Sequence, residues 1–320
     1  MNLKNTIFFA IIILFIFQMM VMKQDAKNEL TPNKPTIAAS TFSLYDITKN
    51  VVGDSAEVFK ILPDGLDVHS YEPTPKEAVK LHNSNLVVIS GAGLEPWIDG
   101  FNFKSKVLDM SQHVELKESH HGHEHEDGEH ENEEHEDEED GCEHGVMDPH
   151  YWLDINNMII ATEYIAYELT KMFPKNKDLY TNNKNIYINM LKKLDKDYKN
   201  KLSTCKLNTV VVNHDAFSYL CENYGFEVEA LSGLSPDAEP DAKTMIKLIE
   251  HVKEHNLKTI FFESFASDKA IKSIANEAKV GVDVISTLGN ITADQADKNL
   301  SYEDIMRDNL EKLSSAMVCE

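Results

Sequence analysis

The chain has 320 residues, enough for one large domain or two medium ones with hydrophobic cores. Its 54 acidic and 31 basic residues give a formal charge of −23, which argues against a nucleic-acid-binding protein, whose surface should be basic. One segment, residues 118–144, contains fourteen acids and seven histidines but no lysine or arginine. The composition therefore predicts a globular protein that binds divalent cations and no nucleic acid.

The amino terminus predicts export. Residues 7–22 form an apolar run that follows a segment with one lysine and precedes a polar stretch, which is the layout of a secretory signal. No clear small-x-small cleavage triplet follows, so residues 1–28 are interpreted as a signal peptide or as a retained signal anchor. We expect the rest of the chain to be periplasmic or otherwise extracytoplasmic.

The next segment, residues 35–154, is predicted to form an N-terminal α/β lobe, because short apolar strands alternate with helices at the spacing of βαβ units. Its predicted strands are 36–40, 56–61, 86–90 and 107–110, and its predicted helices are 41–52 and 76–83. The lobe contains the His- and acid-rich loop 118–145, which cannot bury enough apolar surface to offset the entropy of ordering. We expect this loop to be disordered without metal.

Two helical patterns follow at 156–172 and 177–202, so residues 155–204 are predicted to link two lobes. The second helix would be about 39 Å long at 1.5 Å per residue, long enough to brace both lobes. Residues 205–320 repeat the alternation as a C-terminal α/β lobe, with strands 209–212, 227–230, 259–263 and 282–285 and helices 216–224, 241–255, 268–278 and near 302–317. The predicted fold class is α/β, with two Rossmann-like βαβ lobes joined by a long backbone helix.

Four cysteines in an exported chain permit a disulfide without dictating one. Cys205 and Cys221 flank a predicted strand and are candidates to lie near each other, whereas Cys142 lies in the acidic segment, where a thiolate is a candidate metal ligand. Cys319 is near the carboxyl terminus. The pairing of these four residues stays open at this point.

Three isolated histidines are candidate metal ligands. His69 lies in DVHSYEPTP (67–75), His150 in DPHYWLD (148–154) and His214 in NHDAFSYL (213–220), just past a predicted strand. Each lies at a loop or strand terminus, where α/β sheets place ligands, and neutral imidazoles that converge in a cleft suit Zn²⁺. A single histidine of this kind more often caps a helix or packs in a core. All three histidines lie at the same type of position, however, and this favours one metal site that they form together.

These motifs, with the GLSPDAEPDAK run (233–243) and FFESFAS (261–267), give the chain a clear resemblance. It resembles the metal-binding receptors of bacterial ABC importers for zinc and manganese, the cluster A-I solute-binding proteins, and especially their zinc branch. The resemblance implies two lobes bridged by a rigid helix, zinc held at the lobe interface by His69, His150 and His214, delivery to an ABC-type permease, and a monomer.

The chain departs from this family at one position. Family members often supply an aspartate from a Leu-Asp-Pro-Leu-Gly segment, where this sequence has Ser286. We therefore expect three histidines plus water or a nearby acid, with Glu263 or Asp215 as a fourth ligand or as a hydrogen-bond acceptor for an imidazole. The alternative without a role in metal binding is that both acids are helix-terminal or solvent-facing carboxylates. A His₃ site without the usual carboxylate favours zinc over manganese, although a manganese or iron receptor stays open.

The His- and acid-rich loop predicts several weak zinc sites, which would collect metal or pass it to the tight site. The alternative is a solvated, charge-repelling loop that keeps the protein soluble. Zinc affinity there should fall below about pH 6, because imidazole must be neutral to bind. The histidines concerned are His120, His121, His123, His125, His130, His135 and His144.

Two other function classes are compatible with a histidine site. A zinc-dependent hydrolase would need a general base such as Glu72 or Glu263 beside the metal, but the sequence has no HExxH helix and no nucleophile motif. An extracellular metal buffer or adhesin-like protein would need no transporter. We expect no enzyme and no catalytic residue, with Zn²⁺ as bound cargo.

Overall fold

The computed structural model describes residues 34–101, 103–119, 146–235, 242–265 and 268–320. The predicted signal segment and the histidines of the predicted weak sites lie outside these residues. Thr36–Glu320 forms one compact unit. Within the described ranges, no helix combines the length and apolar character needed to cross a membrane.

A four-stranded parallel sheet forms the core of the N-terminal lobe, with strand order β2-β1-β3-β4. Its strands are β1 (Thr36–Ala39), β2 (Glu57–Lys60), β3 (Leu86–Ile89) and β4 (Lys106–Asp109), and its helices are α1 (Phe42–Val52) and α2 (Pro75–His82). All four residues of β3 are buried, as expected for an inner strand of a parallel sheet. The predicted βαβ alternation is confirmed, and each predicted element lies within one residue of its observed bounds.

A two-stranded antiparallel hairpin lies beyond this sheet. It consists of β5 (Lys117–Glu118) and β6 (Met147–Asp148), and the Ser119 N–H donates to the Val146 carbonyl at 2.9 Å. The hairpin therefore brings together the two ends of the His- and acid-rich loop. Sequence analysis did not predict it, because two-residue strands carry no periodic signal.

Two helices connect the lobes, α3 (Ile155–Met172) and α4 (Lys177–Leu202), and α4 has its predicted bounds. One face of α4 is buried through Tyr180, Tyr187, Ile188, Leu191, Leu194, Tyr198 and Leu202. This helix packs against α1, α3 and the final helix α9 (Tyr302–Ala316). Because it contacts helices from both ends of the chain, α4 is the brace that the sequence predicted.

The C-terminal lobe consists of two parallel strand pairs. The strands are β7 (Thr209–His214) with β8 (Glu227–Ser232) and β9 (Thr259–Glu263) with β10 (Gly281–Ile285), and β7 lies beside β9. The helices are α5 (Ser218–Tyr224), α6 (Ala242–Glu254), α7 (Lys269–Ala278) and the short α8 (Ala293–Asp297), which was not predicted. The mixed α/β fold class with a long joining helix is thus confirmed.

The disulfide joins Cys205 to Cys319, and Cys221 is free. Cys205 is therefore not paired with Cys221, one of the pairings that the sequence left open. The reason is that α9 returns the carboxyl terminus to the end of α4, where the Leu207 N–H donates to the Met317 carbonyl at 3.0 Å. Cys142 lies outside the described residues.

Candidate metal centre

Three imidazoles from distant parts of the chain meet at one point. The Nε2 atoms of His69 and His150 are 3.2 Å apart, and those of His150 and His214 are 3.3 Å apart. His150 and His214 are almost fully buried, with exposed fractions of 1% and 2%. Among the described residues, this is the only group of three or more possible metal ligands close enough to share one ion.

His150 is held from behind by Asp148. The Asp148 carboxylate accepts a hydrogen bond from the His150 backbone N–H at 2.9 Å and lies 2.8 Å from Nδ1 of its ring. The Ser218 hydroxyl donates to the other carboxylate oxygen, and the Tyr219 hydroxyl donates to the Asp148 carbonyl at 2.8 Å. Burial alone would raise the pKa of Asp148, but the hydrogen bonds from His150 and Ser218 lower it below its usual value. The ionised carboxylate thus fixes Nδ1 as the donor and leaves Nε2 free to bind a metal.

His214 is held in the same way by Glu263. His214 is the last residue of β7 rather than a residue past the strand, and Glu263 ends the neighbouring β9. One oxygen of Glu263 accepts the His214 backbone N–H at 3.1 Å, and the other is hydrogen-bonded to Nδ1. Burial lowers the pKa of His214, but the adjacent carboxylate outweighs burial and the pKa is raised above its ordinary value. Of the two roles predicted for Glu263, this geometry matches that of a hydrogen-bond acceptor for an imidazole.

His69 lies in the loop between β2 and α2, and its backbone N–H donates to the Asp67 carboxylate at 2.8 Å. Burial, together with the neighbouring His150 and His214, lowers its pKa to about 2. The ring of His69 is therefore neutral across the physiological pH range. A neutral ring is the form that binds metal.

The other residues predicted for the site have different surroundings. Ser286 is buried, and its hydroxyl accepts the Leu288 N–H at 3.3 Å within a turn. The Asp215 backbone N–H donates to the carbonyls of Ser232 and Gly233. Glu72 is exposed. Sequence reasoning missed the role of Asp148, although its position two residues before His150 was visible.

The two Nε2 separations given above match a specific metal geometry. In a tetrahedral site with Zn–N bonds of about 2.0–2.1 Å, two ligand nitrogens lie about 3.3 Å apart. Both Nε2 separations, 3.2 and 3.3 Å, are close to this spacing. The cluster can thus hold one tetrahedral metal ion on three nitrogens, with a fourth position for water or another donor.

Comparison with known proteins gives one family. Residues 37–316 match the family model described as zinc-uptake complex component A, periplasmic. The chain is 33% identical over 291 residues to the high-affinity zinc uptake system protein ZnuA of Bacillus subtilis, and the match covers 89% of this chain and 88% of that protein.

Solved structures share the fold. The Zn(II)-bound ZnuA-like domain of Streptococcus pneumoniae AdcA has a TM-score of 0.72 and 30% identity, and the match covers 89% of this chain and 99% of that domain. The laminin-binding protein Lmb of Streptococcus agalactiae, described as having adhesin and metal-transporting activity, has a TM-score of 0.76 and 27% identity over 88% of this chain and 99% of that one.

Proposed function

The chain belongs to the family of periplasmic zinc-uptake components, and on that basis we propose that it is an extracytoplasmic zinc receptor serving an ABC-type permease. In this proposal His69, His150 and His214 capture one Zn²⁺ ion as cargo. The observation that carries it is the convergence of the three imidazoles, with the Nε2 atoms of His69 and His214 each at tetrahedral zinc spacing from that of His150. The receptor performs no chemistry on its cargo beyond the exchange of water for imidazole.

Capture would proceed with little rearrangement. Asp148 and Glu263 already hold two rings with Nε2 toward the metal position, and His69 is neutral. Because α4 packs against helices from both ends of the chain, wide hinge closure is not expected. The permease would instead recognise local changes in the loop around His69 and in the segment before His150.

The donor set favours zinc over manganese as cargo. Manganese prefers oxygen-rich coordination, whereas three imidazole nitrogens suit zinc. Glu263 uses both carboxylate oxygens on His214, and Ser286 supplies a hydroxyl where a carboxylate is usual in the family. A manganese or iron receptor of the same family is the alternative, and the metal analysis below distinguishes the two.

The test separates the tight site from the His- and acid-rich loop. Because Ser119 and Val146 are hydrogen-bonded across the hairpin, replacing residues 120–145 with an Asn-Gly turn should close β5 directly onto β6. We expect this hairpin-closed variant to bind one zinc tightly in competition calorimetry, with manganese much weaker. His69→Ala, His150→Ala and His214→Ala should each weaken zinc binding by orders of magnitude. If the hairpin-closed variant binds only manganese tightly, the assignment of zinc as the cargo is wrong. If it binds no metal tightly, the receptor proposal fails.

The two other function classes have less support. A hydrolase needs a base beside the metal, but Glu263 is engaged by His214 and Glu72 is exposed. Ester hydrolysis that a chelator abolishes would favour it. A metal buffer without a transporter predicts normal growth of a deletion strain in zinc-poor medium, whereas a receptor predicts impaired growth that added zinc restores.

A further inference from the structure

The loop that carries His69 is supported by a turn from the other lobe. We call residues 61–74 the His69 loop and residues 286–292, which follow β10, the crossover turn. The side-chain amide of Asn290 donates to two carbonyls of the His69 loop, that of Pro63 at 2.7 Å and that of Leu66 at 2.9 Å. In the reverse direction, the Gly65 N–H donates to the Ile291 carbonyl at 2.9 Å. Asn290 is 2% exposed, so these bonds are shielded from water.

The crossover turn also packs against the residue before His69. A Cβ atom added to Gly289 would lie 3.1 Å from a methyl group of Val68 and 3.4 Å from the ring of Trp152. The Trp152 indole in turn donates to the Thr287 carbonyl at 2.7 Å, and its ring centroid is 5.4 Å from that of His150. The glycine backbone therefore lies in close contact with the His69 loop and with a neighbour of His150.

The crossover turn is itself fixed by contacts that do not involve the His69 loop. Ser286 exchanges two hydrogen bonds with the Asn309 side chain, at 3.0 and 2.7 Å. The Ser43 hydroxyl donates to the Leu288 carbonyl at 2.9 Å, and the Phe42 N–H donates to the Gly289 carbonyl at 2.8 Å. Leu288 is fully buried with φ of 56°, a strained conformation that persists only where surrounding packing enforces it. The turn is thus a rigid support.

We propose that Asn290 is a positioning residue for zinc capture, which acts through His69. Its two donated hydrogen bonds fix the start of the His69 loop, so that the His69 Nε2 stays near those of His150 and His214 before zinc arrives. This inference rests on the proposed zinc-receptor function. The support of His69 would differ from that of His150 and His214, which carboxylates hold through Nδ1, because Asn290 holds the His69 loop through the carbonyls of Pro63 and Leu66.

The test compares Asn290→Ala with a matched control in the full chain. Competition with a strong chelator keeps the weaker sites empty, so only the tight site is measured. We expect Asn290→Ala to lower zinc affinity about 10- to 100-fold, the usual effect of removing a group that orients a ligand. The control is Asn157→Ala, because Asn157 is equally buried and makes two hydrogen bonds to Glu115, at 2.8 and 2.9 Å, outside the His69 loop. It should bind zinc like the wild type.

A double-mutant cycle separates positioning from a general loss of structure. In the hairpin-closed variant, Asn290→Ala added to His69→Ala should cause no further loss of affinity, because the residue through which Asn290 acts is already gone. An equal loss in both backgrounds, or an unchanged affinity of the single Asn290→Ala variant, would overturn the inference.

A second variant covers the case in which Asn290→Ala folds poorly. Gly289→Ala would place a methyl group 3.1 Å from a methyl group of Val68, so Val68 and the His69 loop must shift, and zinc binding should weaken. Unchanged affinity in Gly289→Ala would count against the inference. Failure of the wild-type protein to bind zinc tightly would instead remove the proposed function, and the inference with it.

Discussion

At the scale of single residues, the site is defined by the hydrogen-bond partners of the three histidines. His150 and His214 each have a buried carboxylate at Nδ1, and His69 has a backbone hydrogen bond to Asp67. The convergence of the three histidines was predictable, because each lies in a loop or at the end of a strand, where α/β folds bind ligands. The carboxylate partners were only partly predictable, because β7 and β9 become neighbours through the fold rather than through the sequence.

Glu263 should control the pH dependence of zinc binding. Zinc competes with a proton on His214, whose pKa is raised by Glu263, so wild-type affinity should fall as pH falls through that raised pKa. In Glu263→Gln burial dominates, the pKa of His214 falls, and the loss of affinity should begin at lower pH. At pH 8 the variant should bind zinc about 10- to 100-fold more weakly, because the ring is less firmly oriented.

The matched control for this prediction is Glu168→Gln. Glu168 is also buried but pairs with Lys106 away from the histidines. Chelator competition between pH 6 and 8 should give wild-type behaviour for this control. A pH profile in Glu263→Gln identical to that of the wild type would show that Glu263 does not set the proton affinity of His214.

At the scale of elements, long segments with periodic apolar residues were predictable. Short segments that depend on contacts with distant parts of the chain were not. The bounds of α4 follow from apolar residues at helical spacing and from the Pro174 that precedes it. The hairpin β5–β6 has no such signal, and it depends on the Tyr219 hydroxyl, which accepts the Lys117 N–H at 2.9 Å and donates to the Asp148 carbonyl. The role of the crossover turn was likewise not predictable, because its contacts with the His69 loop join residues more than 200 positions apart.

The contact between α1 and α4 should depend on one buried hydroxyl. Tyr187 donates to the Asp46 carboxylate at 2.7 Å, and burial raises the pKa of Asp46 although this bond lowers it. Tyr187→Phe should reduce the free energy of unfolding by about 1–3 kcal/mol, because a buried acceptor loses its donor. The loss should be larger at pH 8 than at low pH, since only ionised Asp46 needs the donor.

Urea unfolding at the two pH values measures this effect. Tyr180→Phe is the control, because the Tyr180 hydroxyl bonds to the neutral groups of Ser55 and Asn176. It should lose less stability and show no such pH dependence. Equal losses of stability in both variants at both pH values would mean that the Tyr187 hydroxyl does not stabilise the ionised form of Asp46.

At the scale of the whole molecule, the two-lobe α/β architecture was predicted from the alternation of strands and helices. The disulfide that links the carboxyl terminus to the end of α4 was not. The lobe boundaries at 35–154, 155–204 and 205–320 stay predictions. The pairing of Cys205 with Cys319 was not predictable, because it depends on where α9 returns the carboxyl terminus. No pattern in the sequence specifies that return.

Removing this disulfide should lower stability without removing the zinc site. Cys205 and Cys319 are separated by 114 positions, and closing a loop of that length corresponds to about 4–5 kcal/mol in the chain-entropy model. The Cys205→Ser/Cys319→Ser variant should unfold at lower urea concentration and still bind one zinc tightly under folding conditions. Cys221→Ser, which removes the free cysteine of the described part of the chain, should behave like the wild type in both measurements.

The most direct test of the central claim is a crystal structure of the zinc-loaded hairpin-closed variant, with anomalous scattering collected at the zinc edge. The account predicts one strong anomalous peak, about 2.0–2.1 Å from the Nε2 atoms of His69, His150 and His214. Asp148 and Glu263 should keep their contacts with Nδ1. A zinc ion bound elsewhere, or bound without one of these three histidines, would contradict the account.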